Sequence, residues 1–178
     1  MQIKATLMEE MAVKRALMRI SHEIVEKNKG VDDICIVGIL RRGAILGQMI
    51  ASNIKLIEGK DVVCGEMDIS HYRDDLSSPD GAPVLNKVSL PFSVQGKKII
   101  LVDDVLYTGR TVRAAIEAIF ALGRPNSIQL AILVDRGHRE LPIRADYVGK
   151  SIPTSHSELI EVLLPPYDCE TAVKLLDK

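Results

Sequence analysis

The sequence predicts an α/β fold with a central, mainly parallel sheet flanked by helices. Three observations carry that prediction. The runs ICIVGI, KIILV and LAILV are apolar on consecutive positions, which is the pattern of strands covered on both faces. Segments of helical periodicity lie between them, as a parallel sheet requires of its crossovers. Each of the three runs is followed by charged residues and glycine, the composition of a ligand-binding edge beyond the carboxyl ends of parallel strands.

Residues 8–27 read as the first helix, because Val13, Leu17, Ile20 and Ile24 recur at helical spacing and Asn28-Lys29-Gly30 supplies a stop. The first buried strand is ICIVGI at 34–39, followed by a helix from Ala44 to Leu56 and a second strand, VVCGEMDI, at 62–69. The third strand is KIILVDD at 98–104. Its helix runs from Thr111 to Leu122, with Val112, Ile116 and Ile119 facing inward and Gly123 at the end. SIQLAILVD at 127–135 is the fourth strand. DYVG and ELIEVLL are weaker strand candidates, and the last fifteen or so residues carry no distinctive pattern. Residues 70–89, with HYRDDLSSPDGAPVLNK, have no periodicity at all, which in a compact chain marks a mobile functional loop or a hairpin extension. No repeat or linker divides the chain, so residues 1–178 are expected to form a single domain.

With 47% apolar and 26% charged residues, the chain has an ordinary globular composition that excludes a disordered or collagen-like protein. No apolar stretch approaches the ~18 residues of a membrane span. The start, MQIKATLMEEMAVKR, sets acids where a signal peptide needs apolar residues, so a cytoplasmic location is expected. Cys35, Cys64 and Cys169 form no CxxC pair and read as buried thiols in a reducing compartment. His22, His71, His138 and His156 show no metal-ligand spacing. A net charge of −1 conceals local patches. Residues 14–29 and 136–150 are basic, through Lys14, Arg15, Arg19, Lys27, Lys29 and Arg136, Arg139, Arg144, Lys150, whereas residues 66–80 are acidic.

The strand exits hold the chemistry. After the first comes Leu40-Arg41-Arg42-Gly43, after the third Asp103-Asp104-Val105-Leu106-Tyr107-Thr108-Gly109-Arg110-Thr111, and after the fourth Asp135-Arg136-Gly137-His138-Arg139. The middle exit is the most informative. Its Thr-Gly-Arg-Thr turn aims backbone N–H groups and hydroxyls at a phosphate, aided by a helix N-terminus. Its two carboxylates suit the vicinal hydroxyls of a ribose or a hydrated Mg²⁺. A P-loop is excluded, because around Gly149-Lys150-Ser151 the required first glycine is Arg144 and Ile152-Pro153 stands where a helix must begin. No GxGxxG follows the first strand.

The run IILVDDVLYTGRT resembles the phosphoribosyl-diphosphate (PRPP) signature of type I phosphoribosyltransferases. More specifically, RISHEIVEKNKG, MDISHYRDDLS, ILVDDVLYTGRTVRAAIEAI and LGRPNSIQLAILVDRGHRELPIRADYVGKSIPTS resemble the bifunctional pyrimidine operon regulator and uracil phosphoribosyltransferase family, over nearly the whole chain. The resemblance implies the type I fold with a small hood, and residues 70–89 as the loop closing over the reacting centre. It implies conversion of uracil and PRPP to UMP and pyrophosphate, with Mg²⁺. Asp103 and Asp104 would meet the ribose hydroxyls and, indirectly, the Mg²⁺. Val105, Leu106 and Tyr107 would continue the PRPP/UMP site, Thr108, Gly109, Arg110 and Thr111 would hold the 5′-phosphate, and Arg41, Arg42 and Gly43 would meet the pyrophosphate. Arg73 in the loop would reach PRPP oxygens and join Asp103, Asp104 and Arg42 in catalysis. Asp135 and Arg136, with Ile152 to Ser157, would build the base-holding hood.

Purine enzymes of this superfamily place an acid before the Thr-Gly, where this chain has Tyr107, which favours a pyrimidine. The chain departs from the family at Arg41, usually Thr, and at Met18, usually a small polar residue. The resemblance further implies a homo-oligomer, dimer or higher. It also implies attenuation of pyrimidine biosynthesis genes through binding of their leader mRNA in response to uridine nucleotides. The RNA face would use Arg19 and His22, beside Arg15 and Lys27, together with Arg139, Arg144 and Lys150. A stand-alone salvage transferase, for uracil or a purine, is the alternative.

Overall fold

The computed structural model describes residues 2–69 and 90–177, so the expected loop at 70–89, with Arg73, lies outside the described residues. The elements in chain order are β1 (Gln2–Glu9), α1 (Glu10–Asn28), β2 (Ile34–Ile39), α2 (Arg42–Glu58), β3 (Val63–Met67), β4 (Lys98–Leu106), α3 (Arg110–Leu122), β5 (Ser127–Asp135), β6 (Tyr147–Ser151), β7 (Glu158–Leu163) and β8 (Ala172–Asp177). A five-stranded sheet has the order β3-β2-β4-β5-β6, with every neighbouring pair parallel. A three-stranded antiparallel sheet has the order β1-β8-β7.

The consecutive apolar runs become buried strands because both faces of the parallel sheet are covered. Ile34, Ile36, Ile100, Val102 and Leu133 pack in one apolar cluster with Leu17, Ile20 and Ile24 of α1 and Leu46, Ile50 and Ile54 of α2. The alternate residues Cys35, Val37, Ile39, Ile99, Leu101 and Ile132 pack with Val112, Ala115 and Ile119 of α3. Each such large aliphatic side chain stabilises the fold by ~1.5–3 kcal/mol through burial. The antiparallel strands join the first cluster through Met8, Ile160, Val162 and Val173, so the hood and the sheet share apolar contacts.

Several sequence expectations change. The first helix starts at Glu10, because residues 2–9 form a strand paired with the C-terminus. That undistinctive C-terminus is β8, sandwiched between β1 and β7. Helix α2 begins at Arg42, directly at the strand exit. Strand β4 does not stop at the two acids. It continues to Leu106, because β5 runs equally far and offers Val134 and Asp135 as partners to Val105 and Leu106. Cys169 is exposed and Cys64 only partly buried, so of the three thiols Cys35 alone is buried as expected. Among the described residues, no helix is long and apolar enough to cross a membrane.

Candidate functional site

Because β2, β4 and β5 are parallel neighbours, their carboxyl ends open on one edge of the sheet. The first two exits touch. A Cβ on Gly43 would lie 2.5 Å from the Val102 carbonyl oxygen and 3.3 Å from Asp103 Oδ1, so only glycine lets the Arg41–Gly43 backbone lie this close to β4. Asp103 is only 7% exposed. Its Oδ1 accepts the Asp104 N–H at 2.9 Å, and Asp104 Oδ1 accepts the Val105 N–H at 2.8 Å. Burial pushes the Asp104 carboxyl above the usual range, against the opposing pull of these N–H groups and of the Arg42 charge.

Downstream, Val105 to Val112 line a single cavity of ≈ 410 Å³, which brings the predicted Val105, Leu106, Tyr107, Thr108, Gly109, Arg110 and Thr111 together. Gly109 has φ 94°, the left-handed region, and caps α3, whose N-terminus opens at the cavity. Thr108 Oγ1 accepts the Arg110 N–H at 3.3 Å, which shapes the turn. A helix N-terminus, threonine hydroxyls and a tight turn together suit a phosphate monoester. Arg110 is paired with Glu140 at 2.7 Å, linking this turn to the segment after β5.

On the base side, the side chains of Asp135 and Arg136 have protein partners. Arg136 is 2% exposed. Its Nε donates to Thr154 Oγ1 at 3.0 Å and its Nη2 to the carbonyls of Ser155 and Glu158 at 3.2 and 2.9 Å. It also stacks over Tyr107 at 4.1 Å. The Asp135 carboxylate accepts the Gly137 N–H at 3.0 Å and an Arg139 N–H at 2.5 Å. Burial alone would raise this carboxyl. The Arg139 hydrogen bond, the Gly137 N–H and the Arg139 and Arg144 charges outweigh it and hold it below the usual range. Both side chains are therefore held by protein groups. Sequence reasoning missed the rings beside them: His138 lies edge-on to Tyr107 at 5.9 Å and 4.1 Å from His156, and its Nε2 lies 2.6 Å from the Thr154 carbonyl oxygen. DRGH after an apolar strand was the available signal.

Arg139 is held in a similar way. Besides Asp135, its N–H groups donate to the carbonyls of Ile143, Tyr107, Gly137 and Leu106 at 3.0, 2.9, 3.2 and 3.4 Å. Other basic residues lie on or near α1 and β6. Arg19 donates to Glu23 at 2.7 Å and to the Val148 and Gly149 carbonyls at 3.1 and 2.6 Å, which fastens α1 along β6. Lys150, whose Nζ donates to the Leu7 carbonyl at 3.0 Å, continues that line, and Arg15, His22, Arg144 and Lys150 are exposed.

Among the described residues no group of three or more His, Cys, Asp or Glu could hold a metal ion. The adjacent carboxylates of Asp103 and Asp104 are the groups that a hydrated Mg²⁺ would meet through its waters.

Comparison with known proteins agrees with this geometry. A family model described as a phosphoribosyl transferase domain matches residues 5–165. The protein of Clostridium novyi (strain NT) named "Bifunctional protein PyrR" is 57% identical over 178 residues, all of both chains. Its namesake in Bacillus cereus (strain AH820) is 57% identical over 180 residues, again covering 100% of both. The solved hypoxanthine phosphoribosyltransferase of Trypanosoma cruzi superposes with a TM-score of 0.74 at 16% identity, over 98% of this chain and 97% of that one. A Bacillus anthracis hypoxanthine-guanine phosphoribosyltransferase gives 0.71 at 21% identity, over 98% of each chain. At those identities the likeness is one of fold. From its full-length identity to the PyrR proteins and its matching domain, the chain belongs to the phosphoribosyl transferase family, in the branch of the bifunctional PyrR proteins.

Proposed function

We propose that the chain converts uracil and PRPP to UMP and pyrophosphate, and that with a uridine nucleotide bound it attenuates transcription of pyrimidine genes by binding their leader RNA. The observation that carries the transferase reading is the closure of the Arg41–Gly43 loop on Val102 and Asp103 beside the cavity of Val105–Val112. Cations, hydroxyl acceptors and a phosphate cradle then lie along one sheet edge, in the order of the diphosphate, ribose and 5′-phosphate of PRPP. In the reaction the C1′–oxygen bond to pyrophosphate breaks with its electron pair on the leaving group. The C1′–N1 bond to uracil forms, and the N1 proton passes to water or to the departing diphosphate. The developing cation at C1′ draws on the Asp103 and Asp104 carboxylates, and the leaving diphosphate on Arg41 and Arg42, so catalysis is positioning plus electrostatics. A Mg²⁺ carried by the diphosphate would add charge neutralisation there. Arg73, in the segment 70–89, is read as a further cation for PRPP oxygens.

The regulatory reading is supported by the surface of α1 and β6, where Arg15, Arg19 and Lys150 supply positive charge beside His22, with Arg144 exposed ahead of β6 in the chain. On this reading the protein works in the cytoplasm as a homo-oligomer. Filter-binding titrations of leader RNA with and without UMP test the regulatory half. Tighter binding with UMP supports it, and absence of RNA binding leaves the plain salvage transferase as the correct reading.

A further inference from the structure

Both arginines of the diphosphate loop are held by one turn of the antiparallel sheet. The turn between β7 and β8 contains Tyr167 and Asp168. Arg42 Nε donates to Asp168 Oδ2 at 3.2 Å, and Arg42 Nη2 lies 3.1 Å from both Asp168 oxygens. Asp168 is itself fixed, because its Oδ2 accepts the Leu164 N–H at 2.8 Å and its own N–H donates to the Leu164 carbonyl at 3.1 Å. The Arg41 guanidinium lies over the Tyr167 ring at 5.7 Å.

The geometry of the grip matters more than the charge pairing. Asp168 takes the Nε–Nη2 edge of Arg42, and none of its hydrogen bonds to the described residues uses Nη1. A guanidinium clamped on one edge has a fixed plane and presents its other edge in one direction. The side chains are 31% and 17% exposed, so the pair is sheltered yet reachable. An anion arriving at that free edge meets a cation whose rotamer is already set, and less side-chain freedom is lost on binding. We propose that Asp168 is a positioning residue of the transferase, orienting Arg42 toward the diphosphate of PRPP and tying the diphosphate loop to the hood. The proposal rests on the reading of Arg41–Gly43 as the diphosphate loop. A carboxylate that instead competed with PRPP for Arg42 would produce the opposite sign on removal.

The test is PRPP binding by calorimetry together with steady-state pyrophosphate release, for the parent, Asp168→Ala, Asp168→Asn, Arg42→Ala and the Asp168→Ala, Arg42→Ala double variant. Asp168→Ala is expected to weaken PRPP binding and raise its KM by about tenfold, with kcat changing less than KM and the KM for uracil unaltered. Asp168→Asn, which keeps one acceptor, recovers part of the loss. In the Arg42→Ala background the Asp168→Ala change adds less than about twofold, because its partner is already gone. Equal or tighter PRPP binding by Asp168→Ala, or single losses that multiply in the double variant, overturns the positioning role. A parent that fails to bind PRPP refutes the diphosphate-loop reading itself, and the proposal with it.

Discussion

Replacing Arg139 by alanine removes a charge-assisted bond to Asp135 and four bonds to the carbonyls of Ile143, Leu106, Tyr107 and Gly137 in one step. Breaking a buried pair by deleting one partner costs about 3–5 kcal/mol. The two side chains here are 22% and 20% exposed, so water enters and the loss shrinks to about 2–3 kcal/mol. For a chain of this size that lowers the melting temperature by about 5–10 °C. Because the Tyr107 carbonyl and Asp135 lose their common anchor, uracil turnover falls as well. Arg144→Ala is the contrasting variant. Its side chain is exposed, so stability changes by less than about 0.5 kcal/mol and turnover stays intact. RNA affinity weakens, and the salt slope drops by about one. Urea unfolding, pyrophosphate release and filter binding on the two variants separate these effects. An Arg139→Ala protein with parental stability and full turnover would refute the reasoning and return Arg139 to the RNA face.

Gly43→Ala places a methyl group 2.5 Å from a backbone carbonyl oxygen, so the Arg41–Gly43 segment must shift. Overpacking of that kind costs about 1–3 kcal/mol, and the KM for PRPP rises, as steady-state kinetics will register. The two acids with shifted carboxyls have opposite pH signatures. Asp135 lies below its ordinary 3.8, so its contribution to stability is present above that pH and is lost as pH falls through the lower folded value. Asp104 lies above 3.8, so its contribution is full below that pH and is lost as pH rises through the raised value. Urea-unfolding series against pH, with Asp135→Asn and Asp104→Asn as references, read both signs.

The parallel sheet was legible because its signals are local. Ile34–Ile39 and Ser127–Asp135 are buried on both faces and bounded by turn residues, and both strands match the observed bounds. The Thr108–Thr111 turn was legible for the same reason, since it joins a strand end to a helix start. The antiparallel sheet was not, because its pairing is remote: Gln2 meets Asp177 at the other end of the chain. The roles of Arg136 and Arg139 were hidden in a similar way. A positive residue after a strand looks like a ligand contact, and only the carbonyls of Ser155, Glu158 and Tyr107 reveal a structural use. Asp168 carried no signal, because its partner Arg42 lies 126 positions away.

The central claim is that the strand-exit edge transfers phosphoribosyl groups to uracil. Its most direct test is pyrophosphate release from PRPP with Mg²⁺ and each free base, for the parent and for the Asp103→Asn, Asp104→Asn double variant. The account predicts release by the parent with uracil and none by the double variant, whose circular dichroism remains that of the parent. Release with hypoxanthine or guanine but not uracil, or an active double variant, would contradict it.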